Sequence, residues 1–161
     1  MSTLYTIGHS NGGIEPFVSA LHEHAVTLLI DVRSKPRSRF AQFNGRPLQA
    51  HLRDAGIDYA YMGDQLGGMP RDPSWATRWK QGGVDPTVID HLRSTEHWRD
   101  GIAALASIVS KNDATCIMCS EREPANCHRA AVAEDVAAAV PALAITHVVA
   151  ARPAPAQQRL L

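Results

Sequence analysis

At 161 residues the chain has the length of one ordinary domain, a size that buries roughly 70% of its unfolded surface, and its 45% hydrophobic content is that of a globular protein. Sixteen basic and sixteen acidic residues cancel, which excludes a generally polycationic nucleic-acid binder. No apolar run approaches the ~20 residues of a membrane span and the start lacks a signal-like segment, so a cytoplasmic protein with no membrane partner is expected.

Leu4 to Ile7 is a short apolar run that leads into Gly8-His9-Ser10, and Val26 to Val32 is a longer β-branched run containing Asp31 and followed by Arg33. Both read as buried strands. Ile14 to His24 between them has helical apolar spacing, with Pro16 tolerated in a first turn. Leu48 to Ala55 reads as a second helix closed by Gly56, and Ile57 to Met62 as a strand that puts Tyr59 and Tyr61 on one face. From Gly63 to Gly83 the chain carries Gly67-Gly68, Pro70, Pro73, Trp75 and Trp79 without periodicity, which predicts a long irregular excursion and a candidate lid. Helices are expected over Thr87 to Arg93 and Glu96 to Ser110, a strand over Ala114 to Cys119, an alanine-rich helix over Cys127 to Val140, and a last strand over Ala144 to Val149. Strands alternating with helices predict an α/β fold, a single domain over residues 1–150 with a mainly parallel sheet flanked by helices, followed by a flexible tail over 151–161. In such sheets ligands bind beyond the carboxyl ends of the strands. The polar residues gather there.

Three constellations stand at those ends. Cys119-Ser-Glu121 is followed by Asn126-Cys-His-Arg129; with Asn126 as N-cap, Cys127, His128 and Arg129 would fill a helix's first turn, where free amides and the dipole lower a thiol pKa. Cys127 is then a candidate nucleophile with His128 as base, or else a packed thiol under the turn. Three cysteines, with Cys116 and Cys119 too close for a disulfide framework, fit reduced thiols. Cys116-x-x-Cys119 with Cys127-His128 also supplies four zinc-ligand types, but residues three apart on a strand point to opposite faces, so no metal and no cofactor is expected.

The second constellation, Arg33-Ser-Lys35-Pro-Arg37-Ser-Arg39, places guanidinium forks and hydroxyls at a strand end, as a phosphate-binding loop would; the alternative is a solvated charged loop. Phe40, Phe43, Tyr59, Tyr61, Trp75 and Trp79 form the third, rings that could stack on a base or simply pack. His9, Ser10, Asp31 and Glu121 complete a set suited to acid–base chemistry. No catalytic triad spacing, Walker loop or dinucleotide fingerprint is present.

Thr6-Ile-Gly-His-Ser10, Asp31-Val-Arg33 with Pro36-Arg-Ser-Arg39, Leu66-Gly-Gly68, Cys119-Ser-Glu121 and Cys127-His-Arg129, in this order and spacing, resemble the domain of unknown function 488 family. The resemblance implies a compact α/β domain with these residues around one pocket, and an activity in DNA base excision directed at modified pyrimidines such as 5-hydroxymethyluracil. A glycosylase must extrude and stack a base, hold flanking phosphates and use a carboxylate to orient water or stabilise the sugar cation. Arg33, Arg37 and Arg39 would hold phosphate, Tyr59, Tyr61 or Phe43 would stack, Asp31 or Glu121 would be the carboxylate, and His9 or His128 would polarise a carbonyl; Ser10, Gly67, Gly68, Cys119 and Arg129 would line the site. DNA or a nucleotide is the expected partner of a metal-independent hydrolase. The rivals are a Cys127-dependent enzyme acting on a phosphate or sulfur centre and a nucleotide-binding module without turnover. The oligomeric state is left open.

Overall fold

The computed structural model describes residues 2–151; beyond Ala151, the tail expected over 151–161 lies outside the described residues. In chain order these form β1 (Thr3–Gly8), α1 (Ile14–Glu23), β2 (Leu28–Asp31), α2 (Gly45–Asp54), β3 (Asp58–Tyr61), α3 (Gly63–Leu66), α4 (Pro73–Gly82), α5 (Pro86–Ser94), α6 (Glu96–Lys111), β4 (Ala114–Cys119), α7 (Arg129–Ala139) and β5 (Ala144–Val148). Short 3-10 turns precede α2 and α7, at Ala41–Phe43 and Pro124–Asn126. The strands make one sheet in the order β3-β2-β4-β1-β5, with every pairing parallel. The expected α/β fold with a parallel sheet is therefore the one found.

Parallel strands covered on both faces must be apolar on both, and the runs Leu28-Leu-Ile30 and Cys116-Ile-Met118 are. Alternation splits them between two cores. Ile30, Ile117 and Cys119 pack with Leu66, Leu92, Trp98, Leu105 and Val132 from α3, α5, α6 and α7. Leu29, Cys116 and Met118 face the opposite way, onto Phe17 and Leu21 of α1 and Leu48 and Leu52 of α2. Gly56, at φ 75°, ends α2 in the left-handed conformation that a Cβ disfavours.

Two expectations fail. The segment over Gly63 to Gly83 is not irregular: Asp72 accepts the amides of Ser74 and Trp75, Pro73 opens the first turn, and α4 follows. The last helix begins at Arg129, not Cys127. Asn126 closes a 3-10 turn, Cys127 is extended (φ −136°, ψ 141°), and Cys127 Sγ, 3.5 Å from the Arg129 amide, takes the place a capping oxygen would hold.

Register levels the sheet's carboxyl edge. Gly8 pairs with Cys119, and Asp31 pairs with both Met118 and Tyr61. The residues that leave β1, β2 and β4 consequently emerge side by side.

Candidate functional site

β4 lies between β2 and β1, so the segment Ser120–Glu121 leaves the sheet between the chain exits of its two neighbours. His9 and Ser10 continue the ladder for two residues, their amides donating to the carbonyls of Cys119 (3.0 Å) and Ser120 (2.9 Å). The close approach requires Gly8: a Cβ there would lie 1.7 Å from the Glu121 carbonyl oxygen. Ser10 then turns in the left-handed region, at φ 51°.

Two cavities open on either side of Ser120–Glu121, and both are lined by it. The first, about 340 Å³ with mostly apolar walls, is lined by Cys119, Cys127, His128, Gly68, Met69, Trp79 and Val84, among others. Arg33, Ser34 and Lys35 also reach it. The second, about 450 Å³ with mostly polar walls, is lined by His9, Ser10, Arg37, Ser38, Arg39 and Arg122, among others.

Asp31 lines neither. It is fully buried, and its two oxygens accept from Arg33 Nε (2.9 Å), Arg33 Nη2 (2.7 Å), the Arg33 amide (3.1 Å) and the Tyr59 hydroxyl (2.7 Å). Arg33 Nη1 reaches on to the Phe43 carbonyl at 2.8 Å, tying the start of the basic loop to its end. Burial, then the bond to Asp31, pushes the Tyr59 hydroxyl above its ordinary pKa. Tyr61 bonds the Ser34 carbonyl at 2.7 Å, so both tyrosines share a face, as alternation predicts, but direct their hydroxyls inward. Phe43 is fully buried; its ring stacks on His9 at 4.5 Å.

His9 Nδ1–H donates to the Ser10 carbonyl at 2.7 Å, which leaves Nε2, 3.5 Å from Arg33 Nη1, as the acceptor. Burial lowers its pKa first, and the Arg33 charge acts in the same direction. Arg129 is fully buried and also lines neither cavity. Its guanidinium donates to Thr6 Oγ1 and to the carbonyls of Glu121 and Arg122, so it fixes the backbone that carries the Glu121 carboxyl. Gly67 packs against Ser34 rather than lining either cavity, whereas Gly68 lies against the His128 ring.

At the sulfur-bearing end the imidazole is held by the backbone. His128 Nε2–H donates to the Val32 carbonyl at 2.9 Å, which turns Nδ1 toward Cys119 Sγ at 3.6 Å and Cys127 Sγ at 3.8 Å. The neighbouring Cys119 thiol pulls Cys127 well below the ordinary thiol pKa against the cost of burial, with His128 helping; the same proximity, with burial, pushes Cys119 up. The chief causes are a neighbouring thiol and imidazole, and the Arg129 amide at the start of α7 adds a smaller pull in the direction that spacing suggested. Cys116 sits in the opposite core, fully buried.

The sequence therefore pointed to His9, Ser10, Arg33, Arg37, Arg39, Gly68, Cys119, Glu121, Cys127 and His128, which the fold gathers around two adjoining cavities. It missed Met69, Val84, Ser120 and Arg122. Ser120 was recoverable from its place between Cys119 and Glu121; Val84 carries no sequence signal of its own.

None of the described helices is long and apolar enough to cross a membrane. A family model described as Domain of unknown function DUF488 matches residues 13–136. No curated protein and no solved structure matches the chain.

Proposed function

We propose, from the premise that this chain belongs to the DUF488 family, that it hydrolyses the N-glycosidic bond of a modified pyrimidine in DNA. One observation carries the reading: a mostly apolar cavity and an arginine-rimmed one meet at Glu121. An extruded base is flat and largely apolar on its faces, its phosphates are anionic, and the glycosidic carbon lies between them. A base in the first cavity, beside Trp79 and Met69, and a phosphate against Arg37, Arg39 and Arg122 would set that carbon near the Glu121 carboxyl. Glu121 then orients the attacking water and stabilises the sugar cation, while Asp31 serves by holding Arg33 and the loop behind it.

Glu121 suits that role because it is exposed at the meeting of the cavities while its backbone carbonyl is clamped by Arg129. Local charge also answers the neutral total, since phosphate contact needs only a patch.

The test is incubation with duplex and single-stranded oligonucleotides carrying modified pyrimidines, followed by alkali cleavage and mass analysis of released bases. Release of one free base, slowed by about 100-fold or more in Glu121→Gln, is expected. Undiminished release by that variant refutes the role of Glu121, and no release from any oligonucleotide refutes the activity. A second reading rests on the lowered pKa of Cys127, a thiol that lines the first cavity. Covalent attack by that sulfur on a phosphate or sulfur centre would be abolished in Cys127→Ser, with Glu121→Gln largely active.

A further inference from the structure

Cys119 at the end of β4 and the Cys127-His128 pair before α7 are separated in sequence by a turn that folds back on the strand. Their Sγ, Sγ and Nδ1 atoms all lie within 4.8 Å of one another, and all three residues are buried. This differs from the four-ligand zinc pattern legible in the sequence, which needs Cys116; that thiol belongs to the other face of the sheet.

We infer that Cys119, Cys127 and His128 form a zinc(II) site with three protein ligands and a fourth position open to the apolar cavity. Distances support it. Tetrahedral zinc, with Zn–S of about 2.3 Å and Zn–N of about 2.05 Å, sets sulfur and nitrogen about 3.6 Å apart. The separations here are 3.6 Å and 3.8 Å.

The imidazole is oriented for the task. A ligating histidine ordinarily donates its other ring N–H to a carbonyl or carboxylate, which fixes the tautomer and raises ligand basicity. His128 Nε2 does so to Val32, 2.9 Å away, leaving Nδ1 on the sulfur side. Gly68 keeps the approach clear: a Cβ there would stand 2.7 Å from Nδ1.

The site is three-coordinate in protein atoms. Among the described residues no fourth cysteine, histidine or carboxylate joins the cluster, and all three ligands line the 340 Å³ cavity. Two thiolates and an imidazole with one free position is the arrangement of a catalytic rather than a structural zinc. Zinc there would supply a Lewis acid to a carbonyl or water in that cavity. The inference stands apart from base excision, because it concerns what the thiols hold and not what Glu121 does.

The full-length chain, kept reduced and stripped by chelator, is titrated with zinc(II) and, in parallel, with cobalt(II). One equivalent of zinc is expected by elemental analysis. Cobalt should give a thiolate charge-transfer band in the near ultraviolet and visible bands of tetrahedral intensity. Cys119→Ser, Cys127→Ser and His128→Gln should each weaken binding by more than the ~10–100-fold that loss of an outer-sphere partner costs; Cys116→Ala should bind as the parent does. Should a variant fail to fold, the parent's cobalt spectrum decides alone. A spectrum without the thiolate band, binding that survives loss of either cysteine, or no bound zinc in the reduced chain overturns the assignment.

Discussion

Replacing Asp31 by asparagine keeps the shape of a fully buried side chain and removes its charge. Four donors converge on the carboxylate, three of them from Arg33, whose side chain is only 3% exposed. An amide can accept from some of these groups, but its NH₂ would face donors, and the guanidinium would be left in the interior without a counter-ion. Breaking one side of such a pair costs about 3–5 kcal/mol, a large share of the 5–15 kcal/mol that holds a typical domain together. Urea unfolding at pH 7 reads this directly. With an m-value of about 2 kcal/mol per molar urea, the midpoint should fall by ~1.5–2.5 M. Replacing both partners, as Asp31→Leu with Arg33→Met, should recover most of the loss, because an apolar pair leaves no orphan charge. A single Asp31→Asn variant as stable as the parent yet unable to turn over substrate would refute the reasoning. It would move Asp31 from support of the loop to the reaction itself.

Gly8→Ala should cost at least about 3 kcal/mol, seen as a melting temperature lower by ~6 °C or more, since the new Cβ meets backbone at Glu121 rather than a side chain that can swing away. A melting temperature within a degree of the parent's would show that β1 and β4 part more easily than their ladder implies. Thr115 is fully buried and its Oγ1 has no partner among the described residues. Thr115→Val should therefore leave stability unchanged or raise it by up to ~1 kcal/mol in the same thermal assay; a clear loss would reveal a hydrogen bond at that hydroxyl. Burial holds the His9 pKa below that of the unfolded chain, so below about pH 6.5 the unfolded state binds the extra proton and stability declines as pH falls toward the folded value. Denaturation across that window should show a slope of up to ~1.4 kcal/mol per pH unit for this site. His97 and His147 shift the same way, so the slope should shrink, not vanish, in His9→Gln, and an unchanged slope would clear His9 of the effect.

Strands were legible because parallel strands buried on both faces leave continuous apolar runs; Ala114–Cys119 emerges with the bounds its composition predicts. Helix α4 was obscured by the glycines and prolines around it, although Asp72-Pro73 is a helix start in its own right. The start of α7 was misplaced because a sulfur, not the Asn126 amide, meets the first free N–H, and capping preferences do not anticipate cysteine there. The gathering of polar residues at strand ends followed from topology alone. Their division of roles did not: whether Asp31 faces a ligand or an arginine depends on the path of Arg33 back across the strand end, and the meeting of Cys119 with Cys127 depends on a turn whose shape no periodicity encodes.

The exit of the central strand acts as a partition, and a partition has two independent sides. Trp79 and Val84, at and just beyond the end of α4, wall one chamber; Arg37, Ser38 and Arg39 wall the other. Exchange of residues in either stretch remodels one chamber and leaves the partition standing, anchored from below by Arg129. On such a scaffold, recognition of one half of a ligand can drift across generations without disturbing the grip on the other half.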